Sequence, residues 1–128
     1  GERENFVMNS LAKEFTLDDK VNLAIYYARQ PVRARPRDQQ LSASGRQIYS
    51  QRCVSCHGER AHGSAEYARL AGQQPAYLRM TLGRFRANGL GERQEGTATR
   101  RSPVMESIAA QLHEEDIEAL VAYLSALE

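Results

Sequence analysis

Tryptophan is absent from this 128-residue chain, and its other aromatics are 6 tyrosines and 3 phenylalanines. So few large rings make a thin core, which leaves room for something other than side chains in the middle. No stretch approaches the ~20 consecutive apolar residues that a membrane-spanning helix requires, so a transmembrane reading is excluded. No leader-like segment opens the sequence, which points to a cytosolic protein or to a mature or trimmed secreted one. Disorder is excluded by composition, with 41% hydrophobic against 26% charged residues.

Basic residues are missing after Arg101, where 6 acids follow, and the net charge of +1 hides this segregation. The window Arg29 to Arg101 holds 14 arginines and only 5 acids. Such a window invites nucleic acid, but the stacking aromatics and groove-reading motifs that would support that reading are missing. A positive middle also suits a buried anionic ligand and the steering of an acidic partner.

The only two cysteines stand in Cys53-Val54-Ser55-Cys56-His57. A redox dithiol would need a βαβ setting, and no strand-like alternation lies nearby. Half a zinc site would need a second ligand pair, which His62 and His113 do not form. The third chemistry uses all three residues. Two thiols on one helical turn can form thioethers to the vinyl groups of a haem, and the adjacent histidine then lies under the iron. That reading asks for a helical setting and a sixth ligand downstream.

Periodicity supplies the setting. Ser42 is placed to cap a helix running through the cysteine pair, with Gly45 and Tyr49 one turn apart on one face. Pro75 opens a helix from Ala76 to about Ala87, with Leu78, Leu82 and Phe85 at core spacing. Asn88 to Arg101 reads as a loop. Pro103 precedes a short helix over Val104 to Leu112, and a last one spans Glu114 to Leu127. The apolar stripe of that last helix is Ile117, Leu120, Val121 and Leu124. Glu114, Glu115 and Asp116 crowd its first turn, where the helix dipole favours anions. Nothing reads as a strand, so the fold class is all-α.

Met105, 48 positions after His57, is the candidate sixth ligand. Its soft, neutral thioether favours reduced iron. Met80 is the rival, but its spacing within the Pro75 helix suits packing. His62 reads as exposed, and His113 as a helix cap. The arginines Arg84, Arg86, Arg93, Arg100 and Arg101 face either haem propionates or an acidic partner, or are simply solvated.

These residues carry a resemblance. Cys53-Val54-Ser55-Cys56-His57-Gly58, Arg69-Leu70-Ala71-Gly72-Gln73, Tyr77, Phe85-Arg86 and Met105-Glu106-Ser107-Ile108-Ala109 resemble a class I cytochrome c. More narrowly, they resemble the second domain of the two-haem, two-domain group called c-four. The resemblance covers about Leu41 to Glu128. It implies one covalently bound haem c, thioethers at Cys53 and Cys56, and His57 and Met105 as axial iron ligands. It implies first and last helices that cross, with Gly45 and Tyr49 against the Leu120–Tyr123 face. It also implies one-electron transfer in the periplasm with redox protein partners, and no enzymatic turnover. An electron-transfer subunit of a larger oxidoreductase, such as a sulfur-compound-oxidising enzyme, or a ligand-sensing cytochrome are the alternatives. One position departs from the family, which usually has Pro where this chain has Ala68. That residue's carbonyl commonly holds the proximal histidine, and alanine keeps the carbonyl without the rigidity.

An internal repeat runs at an offset of 97. Between Val7–Ala28 and Val104–Ser125, 7 of 22 positions are identical, where chance gives about one. Thr16 and Asp19 form a capping box in the first copy. Residues 1–28 therefore read as the tail of a preceding cytochrome domain, contributing an extra N-terminal helix, with Met8 as a former ligand. Residues 29–41 read as a linker and 42–128 as the haem domain. The extra helix is expected to pack on another copy or on the domain's own haem face, giving self-association through residues 1–28.

Overall fold

The computed structural model describes residues 5–31, 38–92 and 101–128. Among these residues the chain forms seven helices and no strand. They are α1 (Phe6–Glu14), α2 (Leu17–Ala28), α3 (Gln39–Arg52), α4 (Val54–His57), α5 (Pro75–Gly89), α6 (Pro103–Ala109) and α7 (Glu114–Ser125). The all-α expectation holds.

The core forms where α3 crosses α7. Gly45 permits the crossing, because a Cβ there would overlap the carbonyl of Ala119 and the Cβ of Tyr123. One turn on, the Tyr49 and Tyr123 rings lie 5.6 Å apart at a 50° tilt. Tyr49 is 2% exposed, and its hydroxyl donates to the Gly58 carbonyl at 2.5 Å. Burial pushes that hydroxyl's pKa up to about 12, so it stays a donor. Ile117, Leu120, Val121 and Leu124 are buried along α7 as their spacing predicts.

Several boundaries differ from expectation. Asp38, not Ser42, caps α3, its carboxylate accepting from the Leu41 N–H at 3.0 Å. Ser42 is buried one turn before Gly45, on the face that meets α7. The helix ends at Arg52, and the haem motif forms its own short helix. The start at Gln39 also falls inside the stretch read as linker. The rest of that linker, 32–37, and residues 93–100 of the expected loop lie outside the described residues. α5 takes in Pro75 and runs on to Gly89, while α6 stops at Ala109. Gln111 and Leu112 instead donate to carbonyls three residues back, a tighter winding than the α-helix. α7 ends at Ser125, two residues short of the expected limit.

The extra N-terminal helix is two helices, α1 and α2, divided at Phe15 and Thr16. Their layout repeats α6 and α7 closely. α2 spans 17–28 and α7 spans 114–125, the same limits shifted by 97. Asn5 caps α1 through the Met8 N–H, as Ser102 caps α6 through the Met105 N–H. The Thr16 N–H donates to Asp19 at 3.0 Å, and the His113 N–H donates to Asp116 at 2.8 Å. Every described residue from 5 to 31 is exposed, so α1 and α2 do not cover the domain's own haem face.

The haem site

The short α4 hangs directly from α3, since the Cys53 N–H donates to the Tyr49 carbonyl at 2.9 Å and the His57 N–H donates to the Cys53 carbonyl at 3.0 Å. The chain then leaves through Gly58 into a loop that folds back on itself. Buried Ala61 accepts from the N–H groups of Leu70 and Ala71, at 2.8 and 3.0 Å. Gly63 donates to the His57 carbonyl at 3.0 Å. Its φ is +70°, and a Cβ there would overlap the backbone of Tyr67 and Ala68. Only glycine lets the loop close this tightly.

That closure fixes the histidine. Nδ1 of His57 lies 2.8 Å from the Ala68 carbonyl oxygen. A carbonyl can only accept, so Nδ1 carries the proton and Nε2 keeps its lone pair. The bond expected across the Pro-to-Ala departure is present. His57 is 8% exposed, with Tyr67 edge-on at 6.3 Å.

A cavity of about 290 Å³ opens above α4. Cys53, Cys56, His57 and Met105 all line it. Its walls come from α5, α6 and α7, through Leu78, Leu82, Phe85, Ile108, Leu120 and Leu124. Met105 is brought there by the first turn of α6, where the Ser102 hydroxyl accepts its N–H at 3.4 Å. Met80 is 43% exposed and outside the lining, which removes the rival ligand. Met8 is 56% exposed on α1. His62 is exposed as expected, with Nε2 against the Glu128 carbonyl at 2.7 Å.

No disulfide joins Cys53 and Cys56, and burial pushes the Cys53 thiol up to about 11. A dithiol redox centre needs a strand–helix–strand setting, and among the described residues the motif is flanked by helices with no strand. Among the described residues no three His, Cys, Asp or Glu side chains converge as a metal site. Two cysteine sulfurs, an imidazole nitrogen and a thioether opening onto one largely apolar cavity fit a covalently held haem.

The arginines divide. Arg86 donates to the Leu112 carbonyl at 2.7 Å, tying α5 to the turn before α7. Arg101 lines the cavity and donates to Glu106 at 3.0 Å. Arg84 does not line it, while Arg93 and Arg100 lie outside the described residues. Sequence reasoning missed Arg52, Arg69 and Glu66 at the cavity. Arg52 adjoins the Cys53 motif and Arg69 opens the Arg69–Gln73 signature, and those places were the available signal.

Comparison with known proteins agrees with this geometry. The family model for cytochrome c matches residues 42–128. Cytochrome c-554(547) of Halothiobacillus neapolitanus is 33% identical over 88 residues, covering 68% of this chain and 97% of that protein. The thiosulfate dehydrogenase electron acceptor of Stutzerimonas stutzeri is 34% identical over 96 residues, covering 67% of this chain and 40% of that protein. The crystal structure of reduced recombinant cytochrome c4 from Pseudomonas stutzeri superposes with a TM-score of 0.75 at 26% identity. It covers 98% of this chain and 68% of that one. The chain is also shorter than the cytochrome c4 of Azotobacter vinelandii, spanning 61% of its length at 30% identity over 98% of this chain. The chain belongs to the cytochrome c family, is similar to cytochrome c4, and has one covalently bound haem c as its cofactor.

Proposed function

We propose that this protein carries single electrons between redox proteins in the periplasm. Cys53 and Cys56 would hold the haem through thioethers, and Nε2 of His57 and the sulfur of Met105 would hold its iron. Bound haem supplies one-electron iron chemistry. The residues supply the rest. The Ala68 carbonyl orients the imidazole and raises its basicity. The apolar walls exclude water, and Met105 occupies the position a substrate would otherwise take. With His57 and Met105 both holding the iron, no position would be left for a substrate, and transfer of an electron would be the reaction class that remains. The chemistry of thioether attachment, which needs reduced thiols presented to haem on the oxidising side of a membrane, supports the periplasmic location.

The observation that carries this reading is the 2.8 Å contact between His57 and Ala68 on a cavity that Met105 also lines. Protein matured in an exporting host should keep the mass of one haem after denaturation. Its ferric form should show the far-red absorption band of iron–methionine bonding, and Met105→Ala should abolish that band. Loss of haem on denaturation, or a band that survives Met105→Ala, would refute the assignment.

Residues 42–128, with the first turn of α3 before them, form the haem domain in this reading, and α1 and α2 are the last two helices of a preceding cytochrome domain. The α1–α2 copy of α6–α7 supports it. A second reading, an electron-accepting subunit of a sulfur-compound-oxidising enzyme, is favoured by the likeness to the thiosulfate dehydrogenase electron acceptor. Copurification with a catalytic partner would distinguish it from a free carrier.

A further inference from the structure

Glu106 is an ionisable residue buried next to the distal-ligand candidate, at 9% exposure. A carboxylate placed there needs partners, and it has two. Its Oε1 accepts from Nε of Arg101 at 3.0 Å and from the Ser102 N–H at 3.3 Å. Ser102 in turn accepts the Met105 N–H at 3.4 Å. The backbone on the other side is pinned as well, because Gly89 of α5 sits so close that a Cβ would overlap the Glu106 carbonyl. The turn from Arg101 to Glu106 is thus held by α5 on one side and by its own carboxylate on the other. The α1 copy has Asn9 where α6 has Glu106, so this device belongs to the second copy alone.

We infer that Arg101 and Glu106 are positioning residues that clamp the Met105 turn and keep the thioether seated on the iron. This rests on Met105 being the distal ligand. An external ligand can reach the iron only when that turn opens, so its apparent affinity scales with the open fraction. A looser clamp raises that fraction.

The test is imidazole binding to ferric holoprotein, followed optically beside thermal unfolding. Glu106→Ala removes both bonds and should tighten imidazole binding about tenfold. Glu106→Gln keeps an acceptor for the Ser102 N–H but loses the ion pair, and should shift binding by about threefold. Arg101→Met, at a half-exposed side chain, should match Glu106→Gln and covers the case in which Glu106→Ala does not fold. If imidazole affinity stays within twofold of the native value in Arg101→Met and in the folded Glu106 variants, the clamp does not exist, even where melting falls. If native ferric protein lacks the far-red methionine band, the ligand assignment itself fails, and this inference with it.

Discussion

Nδ1 of His57 and the carbonyl oxygen of Ala68 stand 2.8 Å apart, although they lie 11 positions apart in sequence. The contact depends on a backbone shape, not on the Ala68 side chain. The loop reaches that shape because Gly63 adopts a positive φ and passes against the Tyr67–Ala68 backbone. Gly63→Ala should therefore cost about 2 kcal/mol, from left-handed strain and overlap together. For a domain this small that is a fall of roughly 10 °C in Tm, readable by thermal denaturation. It should also raise the reduction potential, because a weaker bond at Nδ1 leaves a less basic imidazole and ferric iron less well stabilised. An unchanged potential would mean that the Ala68 contact does not tune the iron.

The α3–α7 crossing makes a second prediction. Gly45→Ala inserts a methyl group where the Ala119 carbonyl already lies, and the contact is to backbone that cannot rotate away. Destabilisation of about 3 kcal/mol is expected, at the upper end for overpacking. Gly83→Ala is the control. It sits inside α5 with nothing within 4 Å of its would-be Cβ, and should stabilise by ~0.5–1 kcal/mol through helix propensity. Denaturant unfolding of the two variants should move the midpoint in opposite directions.

Much of this was legible from residue spacing, and the failures have physical causes. The Cys53–His57 motif, Met105 and the α7 stripe are local or periodic signals, while the packing of Gly45 and Tyr49 on α7 was implied by the family resemblance, and the structure places each as expected. Ser42 misled because serine favours helix caps, while its burial against α7 is a tertiary fact that propensity does not carry. The roles of Arg86, Arg101 and Glu106 were illegible for a related reason. Arg86 meets a carbonyl 26 positions away. The Arg101–Glu106 pair acts only once α6 has turned its carboxylate inward. The two-helix form of residues 6–28 could have been read from the repeat itself, since α6 and α7 are also separate.

Arg79 on α5 and Glu118 on α7 form a bidentate pair, at 2.5 and 2.6 Å. The guanidinium hydrogen bonds hold the Glu118 carboxyl below its usual 4.5. A depressed carboxylate contributes stability above its unfolded pKa and loses it as pH falls through the folded value. With the two side chains 50% and 45% exposed, solvent screening keeps the contribution under about 1 kcal/mol. Glu118→Gln should therefore lower Tm slightly at pH 7 and not at all in strong acid, where both proteins carry a neutral group. A difference that persisted at low pH would assign the effect to packing.

The last prediction concerns α1 and α2. Phe6 is 87% exposed, Leu17 77% and Tyr27 69%, in helices that bury no residue. On the repeat, Leu23 is 40% exposed and Tyr26 59%, while their counterparts in α7, Leu120 and Tyr123, are buried against α3. An amphipathic pair of this kind is stable only when its apolar face is covered. The cover, in the proposed reading, is a helix playing the part of α3, from a preceding cytochrome domain or from a second copy. Deleting residues 1–28 should leave the haem spectrum and reduction potential unchanged, since no residue of α1 or α2 lines the cavity. The same deletion should reduce self-association, measured by sedimentation at several concentrations. If the full chain and the shortened one sediment alike as monomers, the apolar face needs no second copy, and the self-association reading fails. A changed spectrum would show instead that α1 and α2 reach the haem, contrary to their exposure in this structure.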